Sequence, residues 1–345
     1  MPTRRIVIII ASVLGAALLA IGGVFLYRMW YDRKVSNFSG MQELYVYPDM
    51  SVQAVRDSIL AGGKVKNPAS LLRVFKDVET VQTGHYCIDD GCSSMYVARM
   101  LHNGWQTPVN LTLSGSIRTP EILARKVGSQ MLADSAAVAN FAFSDDSLAR
   151  FGVDAAHLFT IVIPDTYQIL WTASVGEIFQ RLSDESDAWW TPERINAARA
   201  QGLTRKEACT LASIVAGETR YEPEMPTIAG VYLNRLRTGM RLQADPTIAF
   251  CFDYEPKRIL KSHLAVDSPY NTYQHTGLPP GPIACPPKSC LEAVLHPQSH
   301  NYIFFCADPS FNGSHRFAAS YSEHLANARA FQKAMTERQK AEANK

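Results

Sequence analysis

Apolar residues run without a charge from Ile6 to Tyr27, and no later segment sustains such a stretch. The run is about 22 residues, and a helix rising about 1.5 Å per residue needs about 20 to cross a hydrocarbon core. Trp30 and Tyr31 follow where interfacial aromatics collect. A cleaved signal peptide is the competing reading, but its apolar core spans only about 7–15 residues and this run lacks an Ala-x-Ala ending. The pattern therefore predicts a transmembrane helix at 6–27 behind a short leader, 1–5. Arg4 and Arg5 precede the span, while Arg28, Arg33 and Lys34 follow it, so the positive-inside count is indecisive.

The rest of the chain is patterned as a water-soluble body. Residues 28–40 are polar and mixed, as in a linker. Gln42 to Tyr47 alternates as a strand does, and Ser51 caps a helix with Val52, Val55 and Ile59 at helical spacing. Asn67 and Pro68 open a second helix. Tyr86–Asp90 and Ser93–His102 repeat the strand and capped helix, which predicts a small α+β module over 41–115. Beyond it, 116–345 reads as a second, mixed α+β domain. Thr119-Pro120-Glu121 opens its first helix, and Leu158–Ile163 is a continuous apolar run of the kind that forms a buried strand. Helices are expected at 174–182 and 191–200, a strand at 301–307, and a last helix from Ser322 that frays after Glu337.

Composition narrows the classes. With 345 residues, 47% of them hydrophobic, and a net charge of +2, the chain is neither disordered nor basic enough to hold nucleic acid by bulk charge. Seven cysteines are Cys87, Cys92, Cys209, Cys251, Cys285, Cys290 and Cys306, too few for a disulfide scaffold. Cys87 with Cys92, and Cys285 with Cys290, are disulfide candidates in an oxidising compartment; the pairing stays open. His296 and His300 share a four-residue spacing, but Pro297 denies them the helix of a zinc pair, so no metal is expected. No P-loop, dinucleotide fingerprint or Gly-x-Ser-x-Gly occurs, and no cofactor is expected.

Candidate chemistry gathers around one carboxylate. Thr204-x-x-Glu207 is a capping box, and Ala208, Leu211, Ala212 and Val215 make an apolar stripe. The helix they predict delivers Glu218-Thr219 at its C-terminal end, where the dipole favours cations and apolar surroundings penalise an ionised carboxyl. Both effects raise its pKa toward the value a general acid needs near neutral pH. The bland reading is a solvated glutamate ending a helix. Downstream, Asn234, Arg241, Gln243 and Asp245 lie between apolar positions, followed by Tyr270, Asn271, Thr272 and Tyr273. Gly277-Leu-Pro-Pro-Gly-Pro-Ile283 then supplies a stiff segment suited to a groove wall. Tyrosine rings and amides in fixed loops suit carbohydrate, though composition alone would favour an ordinary Pro-rich connection. Glu222 and Glu224, flanking Pro223, read as solvated.

Taken together, Leu211–Thr219, Val231–Thr247, Tyr270–Tyr273 and Gly277–Ala284 resemble the endolytic murein transglycosylases, the MltG/YceG-like family. Ile163-Pro164-Asp165-Thr166-Tyr167 is similar to that family's Phe-Pro-Asp-Thr-Tyr element. The resemblance implies a single-pass protein of the cell inner membrane with its body in the periplasm, a LysM-like module, and a catalytic domain that cuts peptidoglycan glycan strands internally. It assigns Glu218 as the single acid/base and leaves 1,6-anhydro ends. The family often has a second Glu two residues earlier, where this chain has Ala216. Thr219, Asn234, Arg241, Gln243, Asp245 and Tyr270 to Tyr273 are the expected substrate-binding residues. Peptidoglycan synthases (penicillin-binding proteins) are the implied protein partners. Two alternatives stay open: a non-catalytic peptidoglycan-binding protein, and a muramidase in which a second carboxylate activates water.

Overall fold

The computed structural model describes residues 2–256 and 258–343. Met1 of the expected leader lies outside the described residues, as does the end of the tail after Ala343. In chain order the elements are α1 (Pro2–Lys34), β1 (Gln42–Val46), α2 (Val52–Ala61), α3 (Pro68–Phe75), β2 (Gly84–Ile88), α4 (Ser94–Asn103) and β3 (Val109–Thr112). There follow α5 (Pro120–Gly128), α6 (Ser135–Ala142), α7 (Asp145–Ala149), β4 (Thr166–Ile169), α8 (Val175–Trp189), α9 (Pro192–Ala200) and α10 (Arg205–Glu218). The last are α11 (Met225–Arg237), α12 (Asp245–Cys251), α13 (Lys288–Leu295), β5 (Phe304–Ala307), β6 (His315–Ala318) and α14 (Tyr321–Ala343). The fold is thus mixed α+β, with two compact units.

The first unit takes in the chain to Val109 together with Gln168–Thr172. Its centre is a β–α–α–β arrangement in which β1 and β2 pair antiparallel, Leu44 opposite Tyr86. Phe38, Val55, Ile59, Leu71, Tyr86 and Leu101 are fully buried there. The sequence pattern ends this module at 115 and does not include 168–172. That segment belongs here because the Trp171 ring stands roughly perpendicular to those of Tyr45 and Tyr47, with ring centroids about 5 Å away, and Thr172 bonds Gln106.

Helix α1 exposes its apolar side chains from Ile6 to Trp30 and is long and apolar enough to cross a membrane. The expected linker at 28–40 is in large part not a linker. The helix continues to Lys34 because Asp32, buried, accepts hydrogen bonds from Ser70 (2.5 Å) and twice from Arg73 (2.7 and 3.1 Å). Phe38 then closes into the core through a bridge to Val65.

The second unit comprises Asn110–Tyr167 and the chain from Ala173. Its core is helical: α10 packs on α11, α12 and α13, with Leu211, Ile214, Ile228, Leu242 and Val294 fully buried. The apolar run Leu158–Ile163 is buried but is no strand. Asp154 caps a short 3-10 helix over Ala155–Thr160, and a brief apolar run cannot by itself distinguish a buried strand from a buried turn of helix. β5 and β6 form a hairpin against α14, which stays helical to Ala343, past the expected fraying point at Glu337.

Candidate active site

Both arms of the capping box form at the start of α10: Thr204 Oγ1 accepts from the Glu207 amide, and the Glu207 carboxylate accepts from the Thr204 amide at 2.8 Å. Eight consecutive residues, Ala208 to Val215, are then buried, so the helix is fixed on every side. It ends on Glu218, with Thr219 as C-cap donating to the Val215 carbonyl. At the last turn Gly217 packs directly on Pro246, the second residue of α12. A Cβ at Gly217 would lie 2.5 Å from the Pro246 Cβ.

This contact places Glu218 among four groups from other elements. Buried Tyr232 on α11 donates its hydroxyl to Glu218 Oε1 at 2.5 Å. Asp245 opens α12 and accepts from the Tyr273 hydroxyl at 2.6 Å. Arg235, also buried, spends its guanidinium on the carbonyls of Leu242 (2.6 Å) and Ile303 (2.7 Å). Burial pushes the Glu218 carboxyl up to about 7. The Tyr232 hydrogen bond and the Arg235 charge oppose that rise, and the nearby Asp245 charge adds to it. Burial raises the Tyr232 phenol well above its usual range, so Tyr232 is a donor at any physiological pH. The result is a carboxyl group able to hold or release a proton near neutrality.

The other expected binding residues divide into two sets. Arg241, Gln243 and Asp245 are exposed on one turn, with Gln243 in the left-handed region at φ 49°. Arg241 donates to the Tyr273 carbonyl at 3.1 Å, so this turn and Tyr273 form one surface. By contrast, Asn271 and Thr272 are buried. Asn271 donates to the Leu264 and Val266 carbonyls (3.1 and 2.7 Å) and accepts from the Tyr273 amide. Thr272 Oγ1 accepts from the Ala244 amide and meets Thr247 at 2.9 Å. Asn234 ties α11 to the carbonyls of His300 and Tyr302, Thr219 accepts from the Tyr221 amide, and Tyr270 packs on Phe250. The polar atoms of Asn271, Thr272, Asn234 and Thr219 thus bond the protein's own loops and hold the turn in place.

An Asn271→Ala substitution should therefore act on stability. Losing bonds to two carbonyls costs about 1–3 kcal/mol, read as a lower melting temperature. A changed KM with an unchanged melting temperature would make Asn271 a substrate contact instead.

In the sequence Tyr232 reads as one more apolar position of α11, and Glu224 as a solvated carboxylate. In the structure the Glu224 carboxylate accepts from the His315 amide (3.0 Å) and faces its Nδ1 at 2.8 Å, joining α11's start to β6. His300 is engaged by the Thr227 carbonyl at 2.9 Å. All seven cysteines are free, and Cys285 and Cys290 donate instead to the Val162 carbonyl and the Met225 sulfur. Among the described residues, one trio has the spacing for a metal ion: Glu43, His85 and Cys87 on one face of the β1–β2 pair, in the first unit.

The model of the YceG-like family matches residues 44–330. An endolytic murein transglycosylase of Bacillus subtilis is 42% identical over 115 residues, which is 33% of this chain and 31% of that protein. An endolytic murein transglycosylase of Streptococcus pneumoniae serotype 2 is 25% identical over 92% of this chain and 64% of its own length. The chain thus spans less than two thirds of either relative. In fold it is similar to the crystal structure of a yceG-like protein from Listeria monocytogenes, with a TM-score of 0.55 and 23% identity over 83% of this chain and 98% of that one.

Proposed function

We propose, from the premise that this chain belongs to the YceG-like family, that it is an endolytic peptidoglycan lytic transglycosylase anchored in the inner membrane by α1. Its body lies in the periplasm, with the β–α–α–β centre of the first unit acting as a LysM-like module. The observation that carries the reading is Glu218: one carboxyl raised to about 7, with a tyrosine donor on one oxygen. The other oxygen is the one that meets the glycosidic bond.

In its acid form Glu218 gives its proton to the oxygen linking muramic acid C1 to the next sugar's C4. The C1–O bond breaks, and the muramic acid 6-hydroxyl bonds to C1 as Glu218 takes back the hydroxyl proton. No water enters, and the product ends in a 1,6-anhydro ring. One carboxylate suffices because an internal nucleophile of high effective molarity replaces an activated water. Hydrolases generally need two carboxylates. Asp245, whose charge acts on Glu218, is the group that keeps the muramidase reading in view. Cutting strands as they are made would limit their length and bring the protein beside the peptidoglycan synthases.

Digesting purified peptidoglycan with the full chain and weighing the products tests this. Anhydro ends support the lyase. Reducing ends with one water added would make it a muramidase using Asp245, and no cleavage would favour a binding protein. The active form carries the proton, so kcat/KM should fall about tenfold per pH unit above about 7. Because the Tyr232 hydrogen bond lowers the Glu218 pKa, Tyr232→Phe should move that limb to higher pH. A limb that stays in place would remove Tyr232 from the proton's control.

A further inference from the structure

Next to Glu218, but not lined by its carboxylate, lies a cavity of about 560 Å³ in the second unit. Gly217 and Thr219, the neighbours of Glu218, form part of its wall, and Met225, Ile283 and Cys290 give it an apolar lining. Its volume falls in the range of about 300–1,000 Å³ usual for ligand sites. Two exposed guanidinium groups border it, Arg118 and Arg220. Arg118 lies 4.9 Å from the Tyr254 ring centre and donates to Ser116 at 3.1 Å. Neither arginine has a carboxylate partner among the described residues, whereas Lys288, Arg194 and Arg205 of the same unit pair with Asp165, Glu292 and Asp187. One carboxylate, Glu222, also borders the cavity.

We propose that this cavity receives the acidic peptide carried by the muramic acid whose bond is cut, with the peptide's carboxylates on Arg118 and Arg220. This rests on the proposed function and names a second part of its substrate. The peptide hangs from the sugar's C3, two carbons from the reacting C1, so it leaves the ring beside the acid and not over it. A pocket that adjoins Glu218 without including its carboxylate fits that offset. The apolar lining suits alanine methyl groups, the two arginines suit carboxylates, and Glu222 suits the ammonium of a diamino acid. A bare lactyl carboxylate, left where the peptide has been removed, is the other source of an anion; it is too short to use the apolar lining.

The test is binding to the full-length Glu218→Gln protein in detergent, with two probes: the disaccharide carrying its peptide, and the same disaccharide stripped of it. The peptide form should bind about tenfold or more tightly than the stripped form. Adding Arg118→Gln and Arg220→Gln together should erase that difference. Equal binding of both probes, or a difference that survives the double substitution, overturns the proposal. Wild-type cleavage of intact strands, measured in parallel, judges the lyase reading on its own: a peptide preference without cleavage would keep the pocket and remove the lyase.

Discussion

Glu218→Gln should reduce strand cleavage by about 10²–10⁴-fold, the usual contribution of a positioned acid or base, while making the protein more stable at pH 8. The two effects share a cause. Burial holds the native carboxyl at about 7, against 4.5 for an ordinary glutamate, so the folded state binds this proton more tightly than the unfolded chain does. Stability then falls as pH rises from about 4.5 through about 7, because ionisation is harder in the fold. Glutamine keeps the shape and cannot ionise. The variant's melting temperature relative to the wild type should therefore rise between pH 4.5 and pH 8, ending in the variant's favour. A variant that is inactive but no more stable at pH 8 would mean that the carboxyl is better solvated than its position implies.

Gly217→Ala should be nearly as damaging without touching a reacting group. The added methyl would sit 2.5 Å from Pro246 Cβ and 2.8 Å from its Cγ. A proline ring in the first turn of a helix cannot rotate away, so α10 and α12 must move apart. Overpacking of this kind costs about 1–3 kcal/mol. The larger effect is on geometry, because Glu218 and Asp245 sit next to the two residues in contact, and a displacement of about 1 Å can cost about 10²-fold in rate. Cleavage rate and melting temperature should both drop, the rate more than the lost folded fraction explains. A fully active Gly217→Ala protein would show that this junction has slack.

Much of this is legible in the sequence, and what is not has physical reasons. The capping box and apolar stripe of α10 are local signals, and the helix forms as they predict, ending on Glu218. Tyr232 escapes notice because a tyrosine at a buried helical position looks like core until the partner of its hydroxyl is known. Asn271 and Thr272 are polar residues in a loop among motif residues, which reads as binding. Yet asparagine and threonine side chains also satisfy loop backbone, as both do here. The Glu224–His315 contact joins residues 91 apart, and no local pattern encodes it. At Leu158–Ile163 the apolar run is too short to show whether it repeats as a strand or as a helix.

The unbroken course of α1 has a consequence for reach. From Tyr27 to Lys34 the chain climbs about 10 Å as helix, at about 1.5 Å per residue, and Asp32 fastens that stretch to Ser70 and Arg73. On the proposed reading, the first unit is therefore not a ball on a string that samples a wide shell of wall. It rides on a short stiff post, at a set height above the bilayer, and meets glycan only in the thin layer nearest the membrane.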